Sequence, residues 1–193
     1  MQYPIIPLPK NEWKGTPIPL RYTTEEYFDL ELTADDGAFR VQMVKKPFNK
    51  PVTHSPEEYD FPDSLYQDHW EKAEAYGIVR EEDGRKELLA CIELCPEEWS
   101  NRLMVTELWV ADSLQRQGVG TRLMNLAKEI AARQGRRAII LETQSCNVAA
   151  IAFYRSQGFE LMGYDACCYT KLDVERHEIR FDFGYFLHKN PGR

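Results

Sequence analysis

The sequence predicts an α/β (α+β) fold, a mixed and mostly antiparallel sheet containing one parallel strand pair, with helices beside it. Three observations predict it. Between about residues 73 and 110 the pattern is strand-like three times over, with two short connections, which implies an antiparallel meander. A glycine-rich turn and a helix-period segment then separate "TELWV" from "AIILE", which makes a βαβ unit with parallel strands and a right-handed crossover. The end of the chain reads as two more strands, Ile179, Phe181, Phe183, Tyr185 and Leu187 alternating with mostly polar partners in the last.

In chain order, residues 1 to about 20 carry Pro4, Pro7, Pro9, Pro17 and Pro19 and read as an extended arm, packed on a neighbour or mobile. Alternating apolar residues then flank "ADDG", a hairpin turn. The division expected is an arm with a first hairpin strand over 1–37 and the main domain over 38–193. Residues 47 to 64 hold four prolines and several acids and read as a loop with short helical turns. The meander follows, through "AEAYGIVRE", the turn "EEDGRK", "ELLACIELC", "PEEWSN" and "RLMVTELWV".

Val119, Leu123, Leu126 and Ile130 fall at helical spacing, and Gly135 stops that helix with Arg133 near its C-terminal end. "AIILE" is apolar enough to be covered on both faces. A second helix starts at the capping residue Asn147, carries Val148, Ile151 and Ala152 inward and ends at Gly158. "FELMGYDACCYTKL" and "HEIRFDFGYFLH" supply the closing strands, with Cys167 and Cys168 read as strand packing.

The totals narrow the function. At 193 residues the chain suits one domain with a sizeable core. A formal charge of -7 argues against general nucleic-acid binding and suits a cationic small substrate, although acidity also serves solubility. No run of 18 apolar residues exists, so no membrane span is expected, and the first residues lack a signal peptide's basic region and apolar core. Five cysteines, an odd number in no framework spacing, point with that to a reducing cytoplasm. The four histidines, His54, His69, His177 and His188, are scattered and form no ligand pair, so no metal is expected.

The chemistry-bearing stretch is "LQRQGVGTRL", Leu114 to Leu123. Gln115, Gly118 and Gly120 stand at a helix start, where unpaired N–H groups and a partial positive charge bind phosphate. Arg116 and Arg122 could add cationic contacts. A dinucleotide fingerprint would need a small residue where Leu123 stands, and a Walker A loop would need Gly-Lys-Ser/Thr. The glycines alone are equally consistent with a simple tight turn. A second motif, "NVAAIAFYRSQGF", follows 27 residues after Gly120 and sets Asn147 and Tyr154 on one helical face.

The two motifs together resemble the GNAT family of N-acetyltransferases, whose signature Q/R-x-x-G-x-G/A and N-x-x-A-x-x-x-Y-x-x-x-G-F stands here as Gln115, Gly118, Gly120 and Asn147, Ala150, Tyr154, Gly158, Phe159. The resemblance covers about residues 38 to 187 and implies the GNAT fold, with a central splayed parallel pair, and acetyl-CoA as the donor. It implies that the cofactor's pyrophosphate lies on the backbone from Gln117 through Gly118, Val119, Gly120 and Thr121 to Arg122, and that its pantetheine arm pairs with Leu108, Trp109 and Val110. "LETQSCNVAAIAFY" and "DACCYT" resemble streptothricin acetyltransferases more narrowly, which implies a cationic antibiotic amine as acceptor and antibiotic resistance as the role.

Acetyl transfer needs a base for the amine, a donor to the developing oxyanion and an acid for the leaving thiolate. The resemblance makes Tyr154 the acid and Glu107 the base, with a backbone N–H at Val110 for the oxyanion. Glu142 either grips a substrate ammonium or shares the base role, and Glu93 and Asp165 are weaker candidates for the substrate. Each of these acids could equally be ordinary surface charge. Cys146, beside the helix cap, admits a covalent acetyl-cysteine route as a minor alternative. The competing functions are acetylation of protein or peptide amines and a non-catalytic coenzyme-A-binding domain. The expected partners are a small cationic amine, with no nucleic acid and no membrane, and a homodimer remains open.

Overall fold

The computed structural model of the chain describes residues 3–58 and 63–187. They fall into two compact units, one drawn from the described residues of 1–20, 56–141 and 184–193 and the other from 21–55 and 142–183.

The first unit is built on a mixed sheet. Its strands are β1 (Ile6–Leu8), β4 (Glu74–Glu82), β5 (Arg85–Glu97), β6 (Arg102–Val110) and the start of β7 (Ala138–Gln144), in the order β1-β4-β5-β6-β7. β4, β5 and β6 form the expected antiparallel meander. The β4–β5 connection is Asp83-Gly84, both with positive φ (52° and 73°), the hand that matches strand twist. The parallel pairing of β6 with β7 spans three residue pairs and ends at Met104 opposite Ile140. In the antiparallel ladder of β5 with β6 the register shifts between Glu93, opposite Glu107, and Leu94, opposite Val105.

The helix after the glycine turn, α2 (Val119–Arg133), buries Val119, Leu123, Met124, Ala127, Ile130 and Ala131 and packs toward β5 and β6. Leu126 is only half-buried. Gly135 (φ 64°) closes the helix as expected, its N–H donating to the Ala132 carbonyl and that of Arg136 to Ala131.

The proline-rich start is not a free arm. β1 pairs antiparallel with β4, the single turn α1 (Lys10–Trp13) follows, and Leu8, Trp13 and Ile18 are buried. Proline spacing masks this in the sequence: Pro7 sits in an edge strand, where a missing N–H costs no ladder bond, and Pro9 caps the turn. Gly77 explains how closely β1 approaches. A Cβ there would collide with the Ala90 carbonyl oxygen and come within 2.8 Å of Leu8 Cδ1. Leu8, Trp13, Ile18, Leu65, Tyr66, Ala73, Ala75, Cys91 and Cys95 form one apolar cluster, with Trp70 and Trp109 packed against it.

The second unit holds a long two-stranded ribbon, β2 (Tyr22–Asp35) with β3 (Ala38–His54), turned at Asp36-Gly37 as the sequence predicts. Gly37, the last residue of the expected arm, lies in that turn. β3 runs to His54, so the loop expected from residue 47 starts later. Pro47 and Pro51 are tolerated because a two-stranded ribbon leaves each strand's outer edge unpaired, and Pro47 also lies at a register shift. A 3₁₀ turn covers Pro56–Glu58, and 59–62 lie outside the described residues, as does His188.

The helix α3 (Val148–Ser156) starts at Asn147, whose Oδ1 accepts from the Ala150 N–H at 3.1 Å. Its buried face is Ile151 and Tyr154; Ala152, expected inside, is exposed. β8 (Glu160–Asp165) and β9 (Arg180–Phe186) lie side by side, as the closing hairpin requires. β8 ends at Asp165, earlier than expected, and both Cys167 and Cys168 are exposed in turns. The cause is Asp173, whose carboxylate accepts from the N–H groups of Cys168, Tyr169 and Thr170 and bends the segment out of the extended form.

Candidate functional site

In the first unit the site residues come from the end of β6 and the start of α2. Leu108, Trp109 and Val110 face Ile92, Cys91 and Ala90 across the antiparallel edge. The chain then makes a 3₁₀ turn over Asp112–Leu114, Leu114 buried beneath it. Gln115 Nε2 reaches back to the Val110 carbonyl (3.3 Å) and Asp112 Oδ1 (2.8 Å), and Gln117 Nε2 donates to the Ser113 carbonyl (2.7 Å). Both side chains therefore brace the turn. Arg116 (φ 59°) and Gly118 (φ 77°) take left-handed conformations, and Gly118 is the N-cap of α2. Bonding within the helix begins with the Arg122 N–H to the Gly118 carbonyl at 3.0 Å. Gly120 is half-buried in the first turn beside buried Val119, and Thr121 follows, exposed.

This arrangement can hold an anion. Left-handed residues alternating with ordinary ones gather successive N–H groups into a concavity, and a helix of 15 residues adds the positive end of its dipole. Nothing lies within 4 Å of where a Gly118 Cβ would be, so the backbone there is open to approach. Arg116 is exposed beside it, while the Arg122 guanidinium donates to the Tyr3 carbonyl at 2.8 Å.

Glu107 is half-buried on β6, directly opposite Glu93 on β5. Glu93 is completely buried. Its two oxygens accept from the Tyr66 N–H (2.6 Å) and Thr106 Oγ1 (2.9 Å). Burial raises its pKa, and those two hydrogen bonds oppose the rise. Both carboxylates lie close enough to Cys91 to reinforce the upward push that burial gives its thiol. Tyr66 holds a left-handed φ of 60°, and its hydroxyl donates to the Leu8 carbonyl and accepts from the Ala75 N–H. Thr106 and Tyr66 are the hydrogen-bond partners of this candidate, and nothing in the sequence marks them, since nothing there distinguishes Glu93 from the exposed acids around it.

In the second unit Asn147 caps α3 and Ala150 is half-buried one turn on. Tyr154 is buried among rings, with centroids 5.6 Å from Phe153, 6.2 Å from Phe159 and 6.3 Å from Phe183. Glu142 has an ion partner, Arg180 Nη1 at 3.2 Å, and Tyr169 Oη lies 3.4 Å from its other oxygen. Arg180 also faces Asp182 (3.2 Å) and donates to Cys168 Sγ (3.1 Å). Burial, then the Glu142 charge, push the Tyr169 phenol far up. Asp165 accepts from the Cys167 N–H at 2.8 Å, an Asx turn closing β8. Arg180 was legible only as a polar position in an alternating strand.

Cys146 is fully buried, 3.2 Å from Tyr22 Oη, which also donates to Gln144 Oε1 at 2.5 Å. His54 lies 3.3 Å from Glu178. Burial opposes its charge, but Cys146 and Glu178 outweigh that and push His54 up to about 9.

The chain matches a model of the acetyltransferase (GNAT) family over residues 41–159. It is 27% identical to streptothricin acetyltransferase of Streptomyces lavendulae over 154 residues, covering 77% of this chain and 76% of that protein. Identity to streptothricin acetyltransferase A of Bacillus subtilis (strain 168) is 26% over 129 residues, 67% of this chain and 70% of that one. Among solved structures, nourseothricin acetyltransferase superposes with a TM-score of 0.69 at 25% identity, over 96% of this chain and 99% of that one. A Bacillus anthracis str. Ames protein assigned as a streptothricin acetyltransferase, crystallised with acetyl coenzyme A, shares the fold with a TM-score of 0.72 at 22% identity, over 97% of this chain and 100% of that one.

Proposed function

The chain belongs to the acetyltransferase (GNAT) family, and from that premise we propose that it moves the acetyl group of acetyl-CoA to a primary amine of a small cationic substrate, streptothricin being the favoured acceptor. The observation that carries the donor is the glycine turn, with Gly118 at φ 77° capping α2 and left-handed Arg116 before it. The acceptor rests on the likeness to streptothricin acetyltransferases and on the net charge of -7, which favours a polycation.

Acetyl-CoA would supply a thioester carbon activated toward amines. The backbone from Gln117 to Arg122 holds its diphosphate, with Gln115 and Asp112 keeping that turn in shape and Arg116 adding positive charge. Leu108, Trp109 and Val110 offer a strand edge to an amide-bearing arm, and the Val110 N–H serves the developing oxyanion. Asn147 and Ala150 fix the start of α3, the helix that carries Tyr154.

An acceptor amine with a pKa near ~10.4 arrives protonated. In this reading the Glu107 carboxylate takes its proton, directly or through water, and Tyr154 Oη holds the proton that the leaving thiol requires. Glu142, Glu93 and Asp165 supply negative field for the cation. Glu142 would exchange its bond to Arg180 for one to a substrate ammonium, whereas Glu93 acts from behind, through Thr106. The five cysteines are all free thiols, which supports a reducing cytoplasm. Among the described residues no helix is long and apolar enough to cross a membrane.

The test is thiol release from acetyl-CoA with streptothricin, aminoglycoside-like amines, polyamines and lysine peptides as acceptors. Release with streptothricin, reduced about a hundredfold by Tyr154→Phe while acetyl-CoA affinity is kept, is the expected result. Glu107→Gln removes the low-pH limb of the rate profile. Release with lysine peptides alone moves the acceptor to protein amines. Acetyl-CoA binding with no release from any amine makes the chain a non-catalytic binding domain.

A further inference from the structure

The β2–β3 ribbon has two unlike faces. In an antiparallel pair, residues directly opposite project to the same side, and the sides alternate along each strand. Leu30 faces Met43, Leu32 faces Val41 and Ala34 faces Phe39, so these six apolar side chains share one side. Asp29, Glu31, Thr33 and Asp35 share the other with Val44, Gln42, Arg40 and Ala38. The charged side is satisfied within the chain: Lys46 pairs with Asp29 (2.6 Å) and Glu31 (2.8 Å), and Arg40 with Asp35 (2.6 Å).

The apolar side is not covered in the same way. Leu32 is 60% exposed, Val41 44% and Phe39 91%. The root of the ribbon is held within its unit. The Phe28 N–H donates to the Ser145 carbonyl at 3.0 Å, Phe28 packs toward Phe181, and Tyr27 stacks on His177 with centroids 3.7 Å apart. Beyond Phe28, among the described residues, no further strand pairs with these two. An isolated two-stranded ribbon is marginal in water, and an apolar strip on one calls for a cover.

We propose that this strip is the interface through which two copies of the chain dimerise, ribbon against ribbon about a twofold axis through the Leu32–Val41 pair. Charge complementarity selects a second copy. Lys45 lies on the apolar side by alternation, four residues from Val41 toward the root, and Asp36 is an exposed turn residue at the tip, four residues along the chain from Leu32. The two positions are therefore roughly 13 Å from the axis in opposite directions. A twofold operation sets each Lys45 over the partner's Asp36, so the strip matches itself in both apolar area and charge. Lys45 now pairs with Glu26 at 2.9 Å, but both side chains are near half exposed and such a pair exchanges at little cost.

The full chain and three kinds of variant, studied by light scattering and sedimentation over a range of concentrations, test this. The wild type has about twice the mass of the 193-residue chain. Leu32→Glu and Phe39→Glu raise the dimer dissociation constant at least ~10-fold, with unchanged circular dichroism. Asp36→Lys and Lys45→Glu each weaken the dimer, and the two together restore it. A wild type that stays at single-chain mass at every concentration overturns the proposal, as does a dimer indifferent to these substitutions. The charge pair keeps the test independent of any effect the glutamates have on folding.

Discussion

The molecule contains two long hairpins with the same local design. β4–β5 turns at Asp83-Gly84 and β2–β3 at Asp36-Gly37, each with a two-residue loop. Their fates differ. Ile78 and Leu89, Ala90, Cys91, Ile92 and Leu94 of the first are buried, because β1 lies on one edge and β6 on the other. Most of the second stays exposed beyond Phe28, since no further strand pairs with it among the described residues. A two-residue Asp-Gly turn therefore specifies a hairpin, whereas burial is decided by what packs beside it, here β1 from the far start of the chain and β6 from the next segment.

The contrast can be broken most severely at Gly77. A side chain there meets the Ala90 carbonyl, so Gly77→Val should cost about 3 kcal/mol or more, read as a lowered denaturant midpoint. Glu93→Ala comes next. It strands the buried Tyr66 N–H and removes the acceptor of Thr106, for a loss of roughly 1–3 kcal/mol by chemical denaturation.

A pH titration sharpens the comparison at the ribbon's root. The folded pKa of His54, about 9, lies above the ordinary imidazole value of 6.5. Its stabilising contribution is therefore complete below 6.5 and is lost as the pH rises through about 9. The thermal midpoint should fall across that window, and His54→Gln should flatten the fall. The smallest effect belongs to the ribbon's charged side. Arg40→Ala removes an exposed ion pair with Asp35 and should shift stability by less than about 1 kcal/mol in the same denaturation assay.

Legibility followed the range of the interactions. The meander, the glycine turn, the periodicity of α2 and the Asn147 cap are local patterns, and the sequence carries them openly. β1 and the later half of β3 were hidden by Pro7, Pro47 and Pro51, which read as loop residues unless an unpaired strand edge is known to lie beside them. The bend after Asp165 depends on Asp173, eight residues away and silent in any strand pattern. At the site, Gln115 and the glycines were legible as a spacing. The burial of Glu93 and the Arg180 partner of Glu142 were not, because only tertiary packing separates them from ordinary acids.

The offset in the β5–β6 ladder gives Thr106 no counterpart of its own, Leu94 facing Val105 and Glu93 facing Glu107. Such a bulge changes which side of the sheet every later residue occupies. Were Thr106 paired with Glu93 in an unbroken ladder instead, Glu107 would face Ile92, and Glu107, Leu108, Trp109 and Val110 would each occupy the opposite side of the sheet. One supernumerary threonine thus determines which surface of the sheet the proposed base is delivered to.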